Sequence, residues 1–130
     1  MASRNLWGDI ISEAEVRTPT IILKEQAKAL TEMTKGVLVG KTTIETTSYG
    51  KFTIFLSVLA PRVNDYKFDV AIVEHDINLY PATVVAAWER YSGKEVTCKS
   101  EDEIIVALER ILSSDQVTRA IRSLIAQSKS

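Results

Sequence analysis

The chain has 130 residues, with 16 basic and 17 acidic side chains and a formal net charge of −1. That balance excludes a nucleic-acid or membrane partner held by bulk charge, and no Lys/Arg run supplies a local substitute. An apolar fraction of 45% and this length suit one soluble globular unit, so residues 1–130 are expected to form a single domain.

Asn5 can cap a short first helix in which Trp7, Ile10, Ile11 and Ala14 share one stripe. The next helix is better marked. Thr18 suits its N-cap and Pro19 its first position, where a missing N–H is harmless. Ile22, Leu23, Ala27, Leu30 and Met33 then recur on one side, and Gly36 supplies a stop.

Three half-buried strands follow. The first spans roughly 37–47, and Ser48-Tyr49-Gly50 turns it into the second, where Phe52, Ile54, Leu56 and Val58 alternate with Thr53, Phe55, Ser57 and Leu59. After a connection through Pro61, residues 66–75 alternate again, with Tyr66, Phe68, Val70 and Ile72 in one phase. Asp76-Ile77-Asn78 reads as a turn. Residues 79–88 are ambiguous, with Thr83, Val84 and Val85 favouring a strand and Pro81 an edge position. Residues 95–98 suit a last short strand.

The carboxyl end is helical. Ser100 and Glu103 form a capping box ahead of Ile104, Ile105, Leu108, Ile111 and Leu112. Ser113 and Gln116 repeat the signature before Val117, Ala120, Ile121, Leu124 and Ile125, so the helix is expected to break at Ser113–Ser114. The fold class is therefore α+β: an antiparallel β-meander of three to five strands, flanked by an N-terminal helical segment and a C-terminal helical pair.

Chemical motifs are sparse. Gly36-Val37-Leu38-Val39-Gly40-Lys41-Thr42 resembles a phosphate-binding loop, but it has one residue too few between its glycines and β-prone sequence follows it. His75 is the only histidine. It can serve as a base beside Asp76, or simply bond to local backbone at a strand end. With Cys98 as the only cysteine, no zinc site and no disulfide framework is expected, and a buried, inert thiol suits it best. Glu101, Asp102 and Glu103 fit a helix N-terminus without any catalytic role. No apolar leader opens the sequence and no window nears the ~18 apolar residues of a membrane span, so a cytoplasmic location is expected.

What is left is the second face of the sheet. With Phe52, Ile54, Leu56, Phe68, Val70 and Ile72 turned to the helices, the other side is expected to carry Val39, Lys41, Thr43, Thr53, Phe55, Ser57, Leu59, Ala71, Val73 and His75. Mixed faces with an aromatic anchor suit protein contact. The expected function is a non-enzymatic protein-interaction module, namely a small inhibitor, immunity-type or regulatory protein, with Phe55, Val73, His75, Asp76 and Tyr80 as binding residues. It would take a protein partner or a second copy of itself, with no cofactor and no metal. The alternative is a small-ligand binder or small enzyme with a pocket near His75. A terminal helix covering the second face would give a three-layer fold instead.

Overall fold

The computed structural model describes residues 4–8, 10 and 16–130. The chain runs α1 (Pro19–Met33), β1 (Val39–Thr46), β2 (Phe52–Ala60), β3 (Tyr66–His75), β4 (Ala82–Ala86), β5 (Val96–Cys98), α2 (Glu101–Leu112) and α3 (Asp115–Ser128). The strands make one antiparallel sheet in the order β1-β2-β3-β4-β5. This is the expected α+β meander. Of the anticipated first helix, Ile11 and Ala14 lie outside the described residues, while the Asn5 side-chain oxygen accepts from the Trp7 N–H at 2.9 Å. Among the described residues no helix is long and apolar enough to cross a membrane.

The helix ends follow their capping residues. Thr18 Oγ1 accepts from the Ile21 N–H at 3.1 Å, with Pro19 at the first helical position. After Met33 the chain leaves α1 through Lys35 at φ 52° and Gly36 at φ 81°, and the Gly36 N–H closes on the Thr31 carbonyl. Ser100 accepts from the Glu103 N–H as the N-cap of α2, while the Glu103 carboxylate accepts from the Lys99 N–H, one residue before the cap, instead of from Ser100's own N–H as in a capping box. The break falls at Ser113–Ser114, but the capping residue of α3 is Ser114, bonded to the Val117 N–H. Ser113 instead ends α2, donating its hydroxyl proton to the Glu109 carbonyl.

All three helices pack on one face of the sheet. Their residues Ile22, Leu23, Ala27, Ile104, Ala107, Leu108, Val117 and Leu124 join one core with Ile54, Leu56 and Val58 of β2. Phe68 and Leu30 pack against that core, while Met33, the last of the α1 stripe, projects from it and is 78% exposed. Helix α1 lies so close to β1 that a Cβ on Gly40 would sit 2.1 Å from the Ala27 carbonyl oxygen.

One part of the expected register is wrong. The β2–β3 pairing slips between Leu56 and Ser57: Leu56 pairs with Ala71 and Ser57 with Asp69, leaving Val70 as an extra residue. A bulge of this kind puts an additional residue into one strand and shifts its later side chains to the opposite face. Val70, Ala71, Val73 and His75 therefore face the helices, and Ile72 turns away from them. Strand β4 also lies inside the sheet, between β3 and β5, so the edge position inferred from Pro81 does not hold. Pro81 precedes the first paired residue, Ala82, where its missing N–H costs no ladder bond.

Candidate functional surface

The face away from the helices is built by cross-strand rows. Thr43 pairs with Phe55, Phe55 with Ile72, and Ile72 with Val85. These residues make an apolar central row that starts from a threonine at the sheet edge. On one side lies a row of Glu45, Thr53, Glu74, Thr83 and Thr97. On the other lie Lys41, Ser57 and Asp69, followed by Val39, Leu59 and Lys67. Phe55, Leu59 and Val85 are partly exposed, whereas Ile72 is buried beside them.

The polar flanks are tied by side-chain hydrogen bonds and looser ion pairs. Thr53 donates its hydroxyl proton to a Glu74 carboxylate oxygen at 3.2 Å, and Ser57 donates to Asp69 at 2.6 Å. Lys51 lies 4.0 Å from Glu74 and Lys67 3.9 Å from Asp69. Thr53 and Ser57 are buried although no described helix covers this face; each is flanked by longer cross-strand neighbours. Arg90, beyond the 3₁₀ turn Ala87–Glu89 that follows β4, closes over the centre. Its guanidinium carbon lies 5.3 Å from the Phe55 ring centroid and 4.8 Å from that of Tyr91. A cation over an aromatic face orients both groups, and an Arg–aromatic pair on a mixed surface is a common anchor of protein contacts.

The residues singled out from the sequence do not form one patch. Phe55 sits at the centre of the open face. Val73 is fully buried on the opposite, helix-facing side. His75 is on that side too, stacked on Phe52 with ring centroids 5.3 Å apart, and its Nδ1 donates to the Asp76 carbonyl at 2.6 Å. Asp76 holds the following turn by accepting from the Asn78 N–H. Tyr80 packs against the core and donates its phenolic proton to the Arg17 carbonyl at 3.0 Å, and burial pushes its pKa above the usual tyrosine value. Arg17 in turn grips Glu25 through two guanidinium nitrogens and Glu101 through Nε, tying the start of α1 to the start of α2. Cys98 is buried on the helix-facing side, which raises its pKa and keeps the thiol protonated.

The sequence pattern assigns none of Asp69, Glu74, Val85 and Arg90 to this face, and it places Ile72 on the opposite one. One signal was present. Lys67 and Asp69 share one phase of β3, whereas Glu74 falls in the other, so polar residues switch phase within a strand. The uninterrupted apolar run Val70-Ala71-Ile72-Val73 hides where the switch occurs.

Grooves elsewhere are of a different kind. One of about 560 Å³ opens between α2 and strands β4 and β5, with Val84, Val96, Val106 and Ala107 among its walls. Another, of about 370 Å³, lies between α1 and α3 over Leu56, Val58 and Val70. Neither is lined by His75, Asp76 or Tyr80. Comparison with known proteins finds no matching family model, curated protein or solved structure.

Proposed function

We propose that this protein is a non-enzymatic interaction module whose protein partner docks on the open face of the sheet, with Phe55 as the anchor. The observation that carries this reading is the one-sided packing of the helices. It leaves an apolar row of Phe55, Ile72 and Val85 between two polar rows whose hydroxyl–carboxylate bonds are already formed. Such a surface loses little side-chain freedom on binding, which lowers the entropic cost of association. An aromatic side chain at the centre of a contact, with polar groups around it, is where binding energy concentrates. His75, Cys98 and Tyr80 are each occupied within the fold. His75 stacks under the helix layer, Cys98 lies buried there as well, and Tyr80 is engaged with the Arg17 backbone.

The test compares affinity capture from native lysate by the wild type, Phe55→Glu and Val106→Glu, the last altering an exposed position on α2. Phe55→Glu should lose a discrete partner that Val106→Glu retains, with both variants folded by circular dichroism. Equal capture by Phe55→Glu and wild type would refute the reading.

A further inference from the structure

We infer that the free edge of β1 pairs with β1 of a second copy of this chain, antiparallel and centred on Thr43, to make one continuous sheet. The inference stands apart from the open-face reading, because it concerns backbone pairing at the sheet's rim.

Strand β1 is the outermost strand on its side and runs for eight residues, against three for β5 at the other edge. It contains no proline, and its pairing with β2 is unbroken from Val39 to Thr46. Which of its backbone groups face outward follows from two bonds. The Gly40 N–H donates to Thr31 Oγ1 on α1 at 2.9 Å, so it does not point at β2. The Thr47 N–H donates across the hairpin to the Lys51 carbonyl at 2.8 Å, so it does. Backbone direction alternates along an antiparallel strand. The N–H and C=O groups of Thr42 and Ile44 therefore point away from the sheet, where no strand lies among the described residues. A long free edge of this kind is a template for another strand.

The side chains select the partner. A twofold-symmetric contact places each residue opposite its mirror position about the centre. With Thr43 at the centre, Lys41 lies opposite Glu45 of the second copy, and Glu45 opposite its Lys41, on the open face of the sheet. Among the described residues neither Lys41 nor Glu45 has an ion-pair partner within the chain. Thr42 and Ile44 of one copy then exchange both backbone hydrogen bonds with Ile44 and Thr42 of the other. The two Ile44 side chains become diagonal neighbours on the helix-facing side, where Ile44 is 47% exposed in the single chain. Registers centred on Lys41 or Glu45 would set like charges opposite each other, and those centred on Thr42 or Ile44 would leave the charges unmatched. Gly40, its N–H already taken by Thr31, marks where pairing stops.

Sedimentation equilibrium of the full chain across the micromolar range tests this. The wild type should dimerise. Ile44→Pro removes an outward N–H that β2 does not use, so it should give a folded monomer. Lys41→Glu and Glu45→Lys should each raise the dimer dissociation constant roughly ten-fold, and the double exchange should restore it. Phe55→Glu should leave the dimer intact. A monomeric wild type would overturn the inference, as would a dimer that is unchanged by both single reversals. A dimer abolished by Phe55→Glu alone would also overturn it, placing self-association on the open face. If Ile44→Pro does not fold, the charge exchange decides.

Discussion

The two faces of this sheet are made from the same strands but are finished by different means. On the covered face, Ile54, Leu56, Val58, Val73 and Val84 lose their water to helices brought from both ends of the chain. On the open face, Thr53, Ser57 and Ile72 are buried with no described helix above them, among their strand neighbours and near the Arg90–Phe55 pair. The covered face is closed by apolar area, and its free energy scales with that area. The open face is closed by local hydrogen bonds and by the contacts of Arg90 with the Phe55 and Tyr91 rings, each of modest strength.

Adjacent residues on β2 give the sharpest contrast. Ile54→Ala should destabilise by about 2–5 kcal/mol, because it opens a cavity in the helix-covered core. Phe55→Ala, one residue on and facing the other way, should cost less than about half of that, since its ring is partly solvated already. Chemical denaturation of both variants checks the pair, and equal losses would mean that the faces do not differ in this way. Gly40→Ala is the next largest effect, about 3 kcal/mol, since a Cβ would sit 2.1 Å from the Ala27 carbonyl oxygen and force α1 off the sheet. Thr43→Ala, on the same strand but the open face, should stay within about 0.5 kcal/mol.

How much of this was legible in the sequence depended on whether the signal was local. The caps at Thr18 and Ser100 were readable because each is a residue type acting on an amide three positions away. The phase of β2 was readable because Thr53 and Ser57 mark one phase, while Phe52, Ile54, Leu56 and Val58 fill the other. The bulge at Val70 was not, since four consecutive apolar residues give no phase, and the slip is fixed by pairing with β2. For the same reason Phe55 was recognised as the open-face aromatic, while Ile72, Glu74 and Val85 were missed. Arg90 reaches Phe55 through the fold, across a distance in sequence that periodicity does not span. Ser113 and Ser114 offer the same capping signature, and only the geometry of the turn separates them.

Smaller effects test how the helix layer is fastened over the covered face. Ser114→Ala should cost about 0.5–2 kcal/mol by leaving the Val117 N–H without its acceptor. Ser113→Ala should cost less than about 0.5 kcal/mol, because its hydroxyl only bonds back to the Glu109 carbonyl. Thermal unfolding separates the two. The smallest effect is at Arg17, whose guanidinium holds the Glu25 carboxyl below the usual carboxylate range. A carboxyl lowered in the folded state contributes stability above its unfolded pKa, and that contribution is lost as pH falls through the lowered value. Arg17→Ala should therefore flatten the acid limb of stability against pH, while leaving the neutral and alkaline limbs parallel to wild type.

The central claim is that the open face is where the protein meets its partner, and site-specific photocrosslinking tests it most directly. A photoreactive phenylalanine at position 55 should give a discrete crosslinked product in the native cell, whereas the same probe at position 106, exposed on α2, should not. No product at position 55 from a correctly folded protein, or equal product at both positions, would contradict the account.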